Sequence, residues 1–364
     1  MEKIIQIEPW IDNSELKQLS RLIESTYVTE NLLTKEFEEK TANLTKSPFA
    51  ISVCNGTAGL FCALKALNLS PGDQVIVPNI TFIASATSVI LAGLDVVLVD
   101  VDPNTACINI NSLKKAINKK TKVIMPVHLY GISCEMDDII AIARENNLLI
   151  IEDASQGVGV FYKEKHVGLF GEFGILSYYG NKTITTGEGG VVLTKEKDLK
   201  DKIYMLKNHG RINKGTFMHE TLGWNFSFTE MQAAIGIAQM NKLPTIINKK
   251  LELYRNYSNK LESNKIEMKT VPSSTSSPVH WFSNVICEDA EKLQNFLKSF
   301  EIPSRRIFYP LNKQPCLQNH KNVILSSQHF HHSETAYKSI LSLPSSILMD
   351  KDQFEFIVEK LNKY

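Results

Sequence analysis

The chain has 364 residues, 43% hydrophobic and 22% charged, with a formal net charge of +1. This is a globular composition with enough residues for one large core and a smaller second domain, and its near-neutral charge excludes an electrostatic case for nucleic acid or an anionic membrane. The N-terminal MEKIIQIEPW lacks the apolar centre of a signal peptide, no apolar run reaches membrane-spanning length, and six scattered cysteines form no CxxC pair, so a cytoplasmic protein with reduced thiols is expected.

In chain order, the first expected element is a helix capped near Asn13 and Ser14 and ending about Ser25. A polar segment, TYVTENLLTKEFEEK, leads into a second helix. AISVCNGTAGLFCALKAL then reads as a strand, a small-residue turn and a helix with apolar residues at i, i+3, i+4. From there strand and helix alternate: QVIVP before a helix from Ile83, DVVLVDVD before one near Asn111, KVIMPVHLYG before one from Met136, then LLIIEDAS. Two more strands flank a turn in GILSYYGNKTITTGEGGVVLT. Short β-branched strands separated by helices predict a mainly parallel, seven-stranded sheet with helices on both faces.

Beyond it, helices are expected at Asp198 to Asn208, Glu230 to Asn241 and Thr245 to Glu262, with SSTSSP as a loop. HWFSNVI, a helix from Ala290 to Phe300, IPSRRIFYP and a helix from Asp350 to Lys363 suggest a small α+β domain. The expected division is 1–240 for a large α/β domain and 241–364 for a long linking helix plus the small domain. The histidines of HFHH (329–332) have no carboxylate or thiol at ligand spacing, so no metal is expected and the stretch reads as a surface loop.

Ligands of open parallel sheets bind at the carboxyl ends of the strands, and three chemically loaded groups fall there. Asn55-Gly56-Thr57 opens a helix with free backbone N–H groups, which suits a phosphate and equally a plain helix cap. Asp153 ends the run LIIED, with Gln156 three residues on; a carboxylate there suits a ribose hydroxyl, a metal or a protonated ring nitrogen. Lys182 lies between two apolar strands with no acidic residue until Glu188, and Ser177 precedes it by five. An amine in such a place suits a Schiff base with a carbonyl cofactor. Phosphate cradle, strand-end aspartate and lysine together are the parts that pyridoxal phosphate requires.

These stretches resemble the DegT/DnrJ/EryC1/StrS sugar aminotransferases, a family of fold-type I pyridoxal-phosphate enzymes. The matching segments are CNGTAGLFCALKAL, PGDQVIVPNITFIASA, PVHLYG, IEDASQ, YYGNKTITTGEGGVVLT, MQAAIGIAQM and RRIFYPLNKQP. Within the family, the similarity is greatest to the GDP-perosamine synthase branch, which aminates C4 of GDP-4-keto-6-deoxymannose. The resemblance implies that Lys182 carries the cofactor and shuttles protons in a ping-pong transfer from L-glutamate to a keto-sugar nucleotide. It implies that Asp153 holds the pyridine nitrogen, Gln156 the phenolic oxygen, Phe82 the ring face, and Gly56, Thr57 and Ser177 the phosphate. Asn225 matches an asparagine that reaches the partner subunit's phosphate, which implies a homodimer with shared sites. His128, Arg305, Arg306 and Tyr309 are candidate substrate residues, with a structural His128 and surface arginines as the alternatives.

The chain also departs from the family pattern. Ser227 stands where an arginine is usual, Asn312 where a histidine follows FYPL, and Asn31 where a glycine is common. The first two lie where substrate is expected and leave open a different nucleotide (dTDP or UDP) or a small phosphorylated ketone as acceptor. Asn31 tolerates left-handed backbone, so that change is expected to be silent. Family dehydratases replace the lysine by histidine, and this chain keeps Lys182.

Overall fold

The computed structural model describes residues 3–212 and 217–364. Its main sheet has eight strands, ordered Phe49–Val53, Gly190–Thr194, Phe173–Ser177, Leu149–Asp153, Thr121–Ile124, Gln74–Pro78, Asp95–Val99 and Val323–Leu325. All run parallel except Gly190–Thr194, which is antiparallel to both neighbours. The seven expected strands are present. The eighth, Val323–Leu325, extends the edge beside Asp95–Val99 from far along the chain; three residues, one of them exposed, give too short a pattern to read from sequence.

The strands are apolar on both faces because both faces are covered. Val75 and Val77 enter one buried layer with Leu60, Phe61 and Ile175, while Ile76 between them enters the other with Val97 and Leu176. That period-two alternation fixes which side chains each helical layer meets. A second sheet of four antiparallel strands, Ile266–Met268, Asn284–Cys287, Ile340–Ser342 and Arg305–Arg306, has its own apolar cluster around Val285, Leu293, Leu341 and Ile357.

Several local expectations change. The second helix, Leu32–Thr45, includes most of the segment read as polar lead-in, because the buried Glu230 carboxylate accepts from the backbone N–H groups of Asn31, Leu33 and Thr34 and caps it from 196 or more residues away. Asn31 has φ −153, so its backbone is not left-handed and glycine has no advantage there. The two helices expected on either side of Pro244 are one, Glu230–Lys260. An interior proline costs a helix about 3 kcal/mol, and here burial of Ala233, Ile237, Leu243, Ile246 and Tyr257 along the helix offsets it. SSTSSP contains a strand, Thr275–Ser277, paired with Phe161–Tyr162. HFHH opens a helix, His331–Ser339, whose first N–H groups are capped by Asp100.

Candidate active site

The site begins with the strand Phe49–Val53 running into the helix Gly56–Ala66. Asn55 caps that helix, its side chain accepting from Ala58 N at 2.9 Å while its carbonyl takes the Gly59 N–H. The N–H groups of Gly56 and Thr57 have no acceptor among the described residues. They are the free donors at the positive end of a helix dipole, which is where an anion binds. The surroundings require the small residue: a Cβ on Gly56 would lie 3.2 Å from Ser177 Cβ and 3.3 Å from Ser155 Oγ. Gly190 makes the same demand from the other side, since a Cβ there would meet the Asn55 carbonyl carbon at 2.7 Å.

Asp153, at the end of its strand, is buried and fixed by Ser85 Oγ at 2.6 Å on one oxygen and Ser155 N at 3.1 Å on the other. No cation is within ion-pair distance of it among the described residues. Gln156 is buried and its Oε1 accepts from Tyr130 N at 2.7 Å, which leaves its amide donors for the cavity.

Lys182 follows the strand Phe173–Ser177 on a turn closed by its own N–H donating to Tyr179 O at 2.9 Å. Its ammonium has no hydrogen bond or ion pair among the described residues, and Nζ lies 4.2 Å from the centre of the Trp281 ring. Burial lowers its pKa to about 8, with the Arg305 guanidinium acting in the same direction and Asp153 opposing. A lysine with that value holds an uncharged, nucleophilic amine in about one molecule in ten at pH 7.

Gly56, Thr57, Phe82, Asp153, Gln156, Ser177, Lys182 and Arg305 all line one cavity of about 460 Å³. Phe82 is 56% exposed, so it is not a core aromatic. Trp281, Phe308, Tyr179, Asn181, Ser155 and Glu188 complete the wall. For Trp281 the aromatic run HWF beside an otherwise ordinary strand is the available sequence signal.

Other expected residues lie elsewhere. His128 is fully buried, its Nδ1 accepting from Cys134 N at 3.1 Å and its Nε2 meeting the Glu152 carboxylate at 2.9 Å. That pattern fixes the neutral tautomer protonated on Nε2 and makes His128 a structural residue, not a substrate contact. Burial alone would raise the Glu152 pKa, but the hydrogen bonds from His128 and from the N–H groups of Gly168 and Gly171 outweigh it and leave it lowered. Replacing His128 by alanine is expected to cost about 3 kcal/mol of stability, because a buried carboxylate loses a donor and a void opens. Chemical denaturation checks this, and the folded fraction should keep its turnover.

Arg306 is also corrected: it stacks on Tyr337 at 3.7 Å and pairs with Glu291 at 2.9 Å, away from the cavity. Tyr309 packs edge-on against Tyr337 and does not line the cavity either. Asn225 is exposed, outside the cavity of its own chain. Asn312 is a clamp, its Oδ1 accepting from Asn79 Nδ2 at 2.9 Å and its N–H donating to Asn79 Oδ1 at 2.8 Å.

An aldehyde-bearing, phosphorylated pyridine fits this donor set. Among the described residues, N–H groups without an acceptor open the helix, a fixed carboxylate has no cation within ion-pair distance, and a lysine without a hydrogen bond or ion pair lines the same cavity. The aminotransferase family model described as DegT/DnrJ/EryC1/StrS matches residues 9–362. The chain is 33% identical to the GDP-perosamine synthase of Escherichia coli O157:H7, covering 100% of this chain and 99% of that one. It is 35% identical to the GDP-perosamine synthase of Caulobacter vibrioides over 86% of this chain and 87% of that one. Among solved structures, S. venezuelae DesV in complex with a ketimine intermediate superposes with a TM-score of 0.90 at 26% identity, over 99% of this chain and 98% of that one. With the site's geometry, these matches place the chain in the DegT/DnrJ/EryC1/StrS family as a pyridoxal-phosphate-dependent sugar aminotransferase.

Proposed function

We propose that the enzyme moves the amino group of L-glutamate to the keto group of a nucleotide-linked keto-deoxy sugar of the GDP-4-keto-6-deoxymannose type. The observation that carries this reading is the convergence of Lys182, Asp153 and the Gly56–Thr57 helix start on one cavity, in a chain similar over its whole length to a GDP-perosamine synthase. The cofactor, when bound, supplies an aldehyde that links reversibly to amines and a ring that draws off the electron pair left when a proton departs.

The chain's own residues do the rest. Gly56 and Thr57 N–H with the Ser177 hydroxyl hold the phosphate, Asp153 holds the ring nitrogen protonated, Gln156 donates to the phenolic oxygen and Phe82 covers the ring face. Lys182 Nζ receives and returns the proton of the reacting carbon, which its depressed pKa suits. Arg305 faces the cavity with no carboxylate partner among the described residues, its guanidinium stacked on Phe282 at 4.4 Å. That planar fork suits a donor carboxylate or a sugar-nucleotide phosphate. A large cofactor domain of residues 1–240 and a small domain of 241–364 would enclose the sugar. Asn225, exposed outside its own cavity, suits a contact across a homodimer in which each subunit completes its partner's site. The product would serve cytoplasmic amino-sugar supply for a polysaccharide such as a lipopolysaccharide O-antigen.

Ser227 and Asn312, where the family pattern has arginine and histidine, favour as the second reading a different nucleotide sugar (dTDP- or UDP-linked) or a small phosphorylated ketone. Purified enzyme charged with L-glutamate and offered each acceptor in turn separates these. The expected result is kcat/KM at least about tenfold higher for the GDP-linked 4-keto sugar; a clear preference for another acceptor would replace the first reading with the second.

A further inference from the structure

The mechanism above makes no use of Trp281, yet its side chain is held on several sides. It is 3% exposed. Its indole Nε1 donates to Asn181 O at 2.6 Å, the carbonyl next to Lys182. Its own carbonyl accepts from Lys250 Nζ at 3.1 Å. Tyr130 stacks on the ring at 5.8 Å and 25°, and Phe282 tilts against it at 4.8 Å. Lys250 is buried and has no carboxylate partner among the described residues, a costly placement that the Trp281 carbonyl explains.

The face of this fixed ring is the nearest partner of the Lys182 amine, with Nζ 4.2 Å from its centre. The negative face of an indole attracts a cation and gives nothing comparable to the neutral amine. Three charged groups share the cavity with Lys182: Asp153 from the main sheet, Glu188 from the glycine turn and Arg305 from the small sheet. None of them hydrogen-bonds Nζ, so among the described residues the ring is the one group in direct contact with the ammonium.

We infer that Trp281 is a positioning residue that seats the protonated amine of Lys182 whenever that amine is free of the cofactor, and that its Nε1–H fixes the Asn181–Lys182 turn so that the amine returns to the same point. This rests on Lys182 being the reactive amine. The free amine thereby rests on the indole between rounds of carrying the cofactor.

Trace acetylation of the cofactor-free protein across pH, with Lys182 followed by peptide mass mapping, reads the amine's midpoint without any turnover. Trp281→Met keeps apolar bulk but removes the aromatic face, and should lower that midpoint by roughly 0.5 to 1.5 pH units. Trp281→Phe keeps a face and should move it less than half as far. An unchanged midpoint, or an upward shift as expected if the indole merely kept water out, would overturn the inference. Should Trp281→Met not fold, the unsubstituted cofactor-free protein still decides. Its tryptophan emission should titrate with the Lys182 midpoint and lose that step in Lys182→Met; an emission without the step, or one that keeps it in Lys182→Met, contradicts the seat. If the cofactor attaches to Lys182 while these tests fail, only the role of Trp281 falls. If the cofactor attaches elsewhere, the functional reading falls first.

Discussion

Lys182→Ala is expected to lower amine transfer on the order of 10⁴-fold, the largest effect of any single substitution in the cavity. The residue is asked to do two things, carry the cofactor and move a proton, and no neighbour can take over either. Tyr179 and Arg305 line the same cavity, but neither offers an uncharged amine. Glu188 has no primary amine, and Lys250, whose pKa burial also lowers to about 8, is committed to the Trp281 carbonyl. Because the Lys182 amine makes no hydrogen bond or ion pair among the described residues, its removal should lower the melting temperature only by the small amount its ring contact with Trp281 contributes. Steady-state transfer from L-glutamate, together with a thermal melt, checks both halves. A variant that keeps more than about a hundredth of the activity would contradict the assignment.

Asp153→Asn is the second large effect, about 10²–10³-fold in turnover, the usual consequence of removing one charge from a buried ionic hydrogen bond. The substitution keeps the shape of the side chain: its single amide oxygen can keep the Ser155 N–H that now donates to Oδ1 at 3.1 Å, while its NH2 takes the place of Oδ2, where Ser85 Oγ now donates at 2.6 Å and would turn to accept. What it removes is the negative charge that keeps a ring nitrogen protonated. Loss should therefore fall on kcat more than on folding, with cofactor affinity weakened about tenfold. Spectroscopic titration with pyridoxal phosphate and half-reaction kinetics with L-glutamate measure the two separately; turnover within about threefold of the parent would show that Asp153 does not hold the ring.

Much of this site was legible in the sequence because its parts are local. Asn55-Gly56-Thr57, Asp153 and Lys182 each sit where a strand ends, and a strand end can be read from a few β-branched residues and a turn. Seven of the eight strands of the main sheet were legible for the same reason. Misplaced residues were those whose surroundings come from distant parts of the chain. His128, a candidate substrate residue by sequence, is met inside the core by Glu152, 24 residues on. Arg306 looked like a phosphate ligand, but Tyr337 and Glu291 occupy it, while its neighbour Arg305 points to the cavity. Alternation along a two-residue strand decides between them, and two residues carry no pattern. Pro244 suggested a break that packing of the long helix overrides. Trp281 went unnoticed because a tryptophan in an apolar run reads as core until its ring is found against a lysine 99 residues earlier.

The central claim, that Lys182 is the amine that carries the cofactor, is tested most directly by reducing the holoenzyme with borohydride and mapping the labelled peptide. The account predicts pyridoxyl label on Lys182 alone, and its disappearance when L-glutamate is added before the reductant. Label on Lys250 or any other lysine, or label on Lys182 that L-glutamate leaves in place, would contradict it.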